Sequence, residues 1–217
     1  MISYNKIEEY KIQAKQILSK QLSNIILIQI ITTLLSNIIV LIVNVNYLNN
    51  QISEKDLLMI SYISSIFISI PLIYGTYKYL YNCIINKPKF MDIFSCIKDG
   101  YIKIIGTLLL GGGLLITYNI FYLVVTLILS FIFMYSHYVL VKYPNLCFAD
   151  TIIKTFSLSK NNRINGLLID LSFMPLILLS IPLLLIPLIY IIPYLNLTKL
   201  LFINDLDNNS INLNKLN

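Results

Sequence analysis

The stretch "GLLIDLSFMPLILLSIPLLLIPLIYIIPY", residues 166–194, decides the fold. It is almost pure hydrocarbon, yet it carries one carboxylate, Asp170, and the prolines Pro175, Pro182, Pro187 and Pro193. The apolar run around it extends over residues 164–203, about 60 Å if helical throughout, which is twice the thickness of a bilayer's hydrocarbon core. Such a run has to fold back on itself, and Ser180-Ile181-Pro182 is the helix-breaking point near its middle. A second run of this kind, residues 104–141, has its most polar point at Tyr118-Asn119. Upstream, residues 22–45 and 57–77 are each long enough for one crossing of about 20 residues. The expected fold is an all-α polytopic membrane protein, one domain over residues 1–217. Its six transmembrane helices form three hairpins, with spans at 22–45, 57–77, 104–118, 120–141, 164–181 and 183–203. No small-residue cleavage pattern follows the first run, so it reads as a retained span.

Composition points the same way: 57% of the residues are apolar and 12% charged, too much hydrocarbon for a soluble core of this size. The net charge of +6 is spread between the apolar segments rather than gathered on one patch, which argues against a nucleic-acid partner. Of the 16 basic residues, only Lys55 falls on one side of the proposed membrane. All the others lie in the N-terminal segment, residues 78–103, residues 142–163 or the tail. Loops rich in Lys and Arg stay in the cytoplasm, so both termini are expected there.

Each cytoplasmic segment has a helical apolar period: Ile7, Tyr10, Ala14, Ile17 and Leu18 in the first, Ile93, Phe94, Ile97, Tyr101 and Ile104 in the second, Phe148, Ile152, Ile153 and Phe156 in the third. With basic residues on their other faces, each hairpin is expected to be preceded by an amphipathic helix resting among anionic lipid headgroups. The second and third begin alike, "PKFMDIFSCIK" at 88 and "PNLCFADTIIK" at 144, each with a Pro and then an Asp placed to favour a helix start. Paired tyrosines close alternate spans, Tyr74 with Tyr77, Tyr135 with Tyr138 and Tyr190 with Tyr194. They read either as a threefold internal repeat or as aromatic belts at the interface.

The segments "YVLVKYPNL" (138–146), "LIDLSF" (168–173) and "IIPYLNLT" (191–198), preceded by "IQAKQILSKQ" near the N-terminus, resemble the bacterial integral membrane family of domain of unknown function 975. The resemblance covers roughly Ala14 to Leu206. It departs from the family pattern at Met174-Pro175, at "SKNNRING", and in the absence of Trp. It implies a multi-pass protein of a Gram-positive cell membrane and carries no assigned reaction.

Chemistry is sparse. One histidine, His137, excludes a His-rich metal centre, and Cys83, Cys96 and Cys147 have no paired spacing, so they read as free thiols on the reducing side. The run Gly111, Gly112, Gly113 lacks the Lys and hydroxyl of a phosphate loop and reads as a place for close helix approach. No cofactor is implied. The candidate polar site within the membrane is Asp170 with His137, Tyr138, Tyr194 and Arg163. Arg163 and Asp170 are seven residues apart, hence on one helix face, and tyrosine hydroxyls from the ends of neighbouring spans are expected to donate to Asp170 as a polar clasp. A titrating proton relay is the second role for these groups.

Two function classes remain. In the first, a non-enzymatic membrane protein acts through contacts as a scaffold, partner subunit, homo-oligomer or immunity-type factor. In the second, it is a small-solute permease, with spans broken at Pro71, Pro175, Pro187 and Pro193 lining a path. A polar cavity around Asp170 favours the second and a dry packed bundle the first.

Overall fold

The structure is a computed structural model and describes residues 4–49, 53–109, 129, 131–160, 162–183 and 185–216. Among these residues there is no strand. The helices are α1 Tyr4–Lys20, α2 Leu22–Leu48, α3 Glu54–Ile84, α4 Cys96–Asp99, α5 Tyr101–Leu108, α6 Ser136–Lys142, α7 Phe148–Lys160, α8 Arg163–Ser180 and α9 Leu188–Leu216, with a 3-10 turn at Phe90–Phe94.

Among the described residues three helices are long and apolar enough to cross a membrane: α2, α3 and α8. The bounds of α2 and α8 follow from continuous apolar runs, whereas α3 extends the 57–77 run at both ends. Ser53 caps α3 by accepting from the Asp56 N–H at 3.2 Å, with Glu54 and Asp56 in the first turn facing the positive end of the helix dipole. The 164–203 run does bend where its prolines and Ser180 lie. Helix α8 stops at Ser180, residues 181–183 and 185–187 form turns, and α9 returns along α8. The expected sixth span, 183–203, is corrected at both ends. Its helix starts at Leu188 and runs unbroken to Leu216, carrying Lys199, Asp205 and Asp207. The expected third and fourth spans lie largely outside the described residues, as do the turn at Tyr118-Asn119 and the Gly111–Gly113 run.

The amphipathic segments each take a different course. In α1 the apolar face is covered by protein rather than open to headgroups. Ile7, Tyr10, Ala14 and Leu18 are buried, the Tyr10 ring lies 5.9 Å from that of Phe202 on α9, and its hydroxyl donates to Asp205 at 2.7 Å. The second is not one helix. Gly100 adopts a left-handed conformation, φ 102°, and separates α4 from α5, so Ile93 and Ile104 are buried while Phe94 and Ile97 point outward. Its 3-10 turn presses so closely on α3 that a Cβ on Gly75 would stand 1.9 Å from the Ile93 carbonyl oxygen. In α7 the buried side is Thr151, Thr155, Leu158 and Ser159, and the apolar Phe148, Ile153 and Phe156 are exposed. The main core gathers α1, α3, α6, α8 and α9 around Ala14, Leu80, Tyr135, Phe173, Leu197 and Phe202.

Candidate functional site

Helix α2 has three faces. Ile25, Ile28 and Val43 are buried, Leu34, Ile38 and Leu41 are exposed on the opposite side, and between them runs a polar stripe of Gln29, Thr33, Ser36 and Asn37 at helical spacing. Where this stripe meets α3 and α9 there is a cleft of about 440 Å³. The α3 wall supplies Ser69, Thr76 and Tyr77, and the α9 wall Ile192 and Asn196.

Both of these walls are irregular helices. In α3 the backbone widens to a π turn over Ser65–Ser69, ending at the cleft, and Pro71 follows. Pro71 has no N–H to offer the Phe67 carbonyl four residues back, and the Tyr101 hydroxyl, from α5, donates to that oxygen instead. In α9, Pro193 similarly withholds an N–H from the Ile189 carbonyl, one turn from Asn196. Widened and proline-bearing helices inside a membrane domain are tolerated where the freed backbone groups find other partners or line a polar cavity.

The donors along the cleft are largely spent on their own helices. Thr32 Oγ1 donates to the Ile28 carbonyl at 2.9 Å, Thr33 to Gln29 at 2.7 Å, Ser36 to Thr32 at 2.7 Å and Thr76 to Leu72 at 3.0 Å. Asn37 Nδ2 donates to the Thr33 carbonyl at 2.8 Å, and the Tyr77 hydroxyl to Asn196 Oδ1 at 3.0 Å. What these groups still offer is oxygen lone pairs. Behind the cleft, the Tyr77 ring stacks on His137 at 4.3 Å and 29°. Close by, Lys199 Nζ meets Asp170 Oδ1 at 2.6 Å, and the Asp170 charge bears on the Tyr77 hydroxyl.

The structure therefore disperses the expected clasp. Asp170 takes Lys199 from the antiparallel α9, an ammonium being a stronger partner for a carboxylate than a phenol. The tyrosine hydroxyls go elsewhere: Tyr138 donates to Asn204 at 3.1 Å and to Asp207 at 3.3 Å, and Tyr135 donates to the Asn162 carbonyl at 2.6 Å. Tyr194 packs its ring against Phe173 at 4.9 Å. Arg163 lies between the rings of Phe131 and Phe156, 5.9 and 5.4 Å from their centroids, and does not join Asp170. Of the expected set, His137 and Asp170 lie behind the cleft, beyond Tyr77, and none lines it.

Sequence reading missed a second polar centre. Asp207 is fully buried and holds Lys142 at 2.8 Å, Lys154 at 2.9 Å and the Tyr143 hydroxyl at 2.6 Å, joining α9 to α6 and α7. Burial alone would raise its pKa, but the hydrogen bonds from Lys142, Lys154 and Tyr143 reverse this and hold the carboxyl down at about 2. In the run "NDLDNNS" Asp207 reads as part of a solvated tail. The available signal was register: Leu197, Leu200, Asn204 and Asp207 fall on one helical face, the buried one. A similar grip recurs on α3, where Tyr74 and Lys78, one turn apart, both donate to Asp99, at 2.5 and 2.9 Å. Tyr138 and Lys142 have the same spacing on α6, so the tyrosines at these helix ends belong to aspartate-binding pairs.

No family model, no curated protein and no solved structure matches the chain, and the functional reading rests on the geometry of the cleft.

Proposed function

We propose that this chain is a non-enzymatic, multi-pass protein of the bacterial cell membrane, with six spans and both termini in the cytoplasm, and that it acts as a small-solute permease or permease component. The observation that carries this reading is the polar cleft itself. A cavity of about 440 Å³ between apolar helices is lined by amides, hydroxyls and a phenol, and the π turn of α3 ends on its wall at Ser69. Polar side chains are costly in hydrocarbon and are kept where they face a path or a binding site. The Tyr77–Asn196 bond, with His137 and the Asp170–Lys199 pair behind it, gives the cleft a polar base.

Solute-driven swelling of vesicles that contain the purified protein tests the reading directly. Small polar solutes should enter faster than into protein-free vesicles, and Ser36→Leu, which fills the cleft, should abolish the difference. The matched substitution Ser23→Leu, outside the cleft, should not. Equal swelling with and without protein, for every solute tried, would sink the proposal. A contact-forming role is the second reading, favoured by the exposed amides of Asn37 and Asn44 on α2, which suit another transmembrane helix of a partner or a second copy. Cross-linking that captures a second chain at α2, with no swelling effect, would support it.

A further inference from the structure

We infer that the cleft selects a small solute bearing a primary ammonium group. This rests on the permease reading and names the class of solute that the same cleft takes. The warrant is the balance of donors and acceptors. A neutral polar wall ordinarily offers both, so it binds alcohols, amides, amines and acids without much preference. Here the hydroxyl hydrogens of Thr32, Thr33, Ser36 and Thr76 all go to carbonyls within α2 and α3, and that of Tyr77 goes to Asn196. The hydroxyl of a back-bonded Ser or Thr has no second hydrogen to give, and its oxygen keeps its accepting capacity.

The free capacity of the α2 wall is thus weighted towards oxygen: three hydroxyl oxygens and the Asn37 Oδ1, with Thr76 and Tyr77 oxygens across the cleft. The remaining donors are the Gln29 and Asn196 amides, the second N–H of Asn37 and the Ser69 hydroxyl, too scattered to clasp a carboxylate. No Lys or Arg lines the cleft. A carboxylate or phosphate would face lone pairs with no cation to offset them. A neutral alcohol brings one donor and leaves most of the acceptors unmet. An R–NH₃⁺ group brings three donors and a charge, and a charge-assisted hydrogen bond to oxygen is about twice as strong as a neutral one. It is the small polar group that best matches this wall. The apolar Ile73 and Ile192, which also line the cleft, leave room for a short aliphatic tail.

Equilibrium dialysis against the protein in lipid nanodiscs, with empty nanodiscs as the blank, provides the test. The probes are n-butylammonium, n-butanol and n-butyrate, which share a tail and differ in charge and donors, with potassium ion as a cation without directed donors. n-Butylammonium should bind saturably and at least about tenfold tighter than the other three, the equivalent of one well-placed interaction. Thr33→Val and Ser36→Ala, each removing one oxygen, should weaken it by about tenfold, and Thr33→Ser should restore it. Equal or tighter binding of n-butanol or n-butyrate overturns the ammonium assignment and leaves the permease reading standing. Tighter binding of potassium ion overturns it in favour of a metal-cation path. Ammonium binding untouched by Thr33→Val and Ser36→Ala overturns it by placing the ligand elsewhere. Failure of all four probes to bind, together with no swelling effect, would overturn both readings.

Discussion

Asp207 is a carboxylate with no solvent exposure, and it is tolerable only because two ammonium groups and the phenols of Tyr143 and Tyr138 converge on it. Its folded pKa, about 2, is depressed relative to an unfolded value near 3.9. A depressed carboxylate contributes stability that is complete above the unfolded value and is lost as the pH falls through the folded one. Unfolding of the detergent-solubilised protein, followed from neutral pH downwards, should therefore be steady to about pH 4 and weaken between about pH 4 and 2, and Asp207→Asn should lack that component. At neutral pH, Asp207→Asn leaves Lys142 and Lys154 without their counter-charge. It should cost about 3 kcal/mol, the low end for a broken buried pair, because both lysines keep some solvent contact. A chemical-denaturation midpoint equal to that of the unaltered protein would contradict this. The residue does not stand out in sequence because a charged group inside an amide-rich run looks solvated, and only its register with Leu197 and Leu200 marks it as buried. Asp170 stood out because it interrupts hydrocarbon, yet its partner, Lys199, lies on the helix beyond the turn.

At the level of elements, continuous apolar runs made α2 and α8 readable almost to their ends, and prolines with Ser180 located the turn between α8 and α9. The segment after α3 was misread as one amphipathic helix because periodicity records which residues are apolar, and not where a backbone must break. Two glycines decide that here. Gly100 takes the left-handed conformation that ends α4, and Gly75 lets the 3-10 turn seat its Ile93 carbonyl directly on α3. Gly75→Ala should cost more than the about 1–3 kcal/mol of ordinary overpacking, since its Cβ would meet backbone rather than a movable side chain. The measurement is the thermal midpoint or folded yield in detergent, and an unchanged value would refute the close seat. Tyr101→Phe keeps the ring and removes only the hydrogen bond to Phe67. A loss of about 0.5–1.5 kcal/mol is expected, the net worth of one hydrogen bond at an exposed site, measured in the same unfolding assay.

For the whole molecule, the cysteines give a check on orientation that the structure sharpens. Cys83 and Cys96 are buried, and burial pushes the Cys96 thiol up to about 11, so it presents no thiolate. Cys147 is exposed. A membrane-impermeant maleimide should label one site, Cys147, and only after cells are opened if residues 142–163 are cytoplasmic. Labelling of intact cells that Cys147→Ser removes would reverse the proposed topology. The cleft itself was only half legible. The prolines marked broken helices, but the polar stripe of α2 lies within a run whose average is strongly apolar. Its partners, Tyr77 and Asn196, come from helices separated by more than a hundred positions, 119 in the chain numbering, and only folding brings them together.

The bond from Tyr101 to the Phe67 carbonyl also imposes an order of assembly. The donor is encoded 34 residues after the acceptor. In a chain inserted as it is synthesised, α3 exists before Tyr101 does, with the carbonyl at its proline break still open. The widened turn of α3 therefore receives this last hydrogen-bond donor only when α5 arrives, so the helix that carries the cleft's Ser69 is completed late.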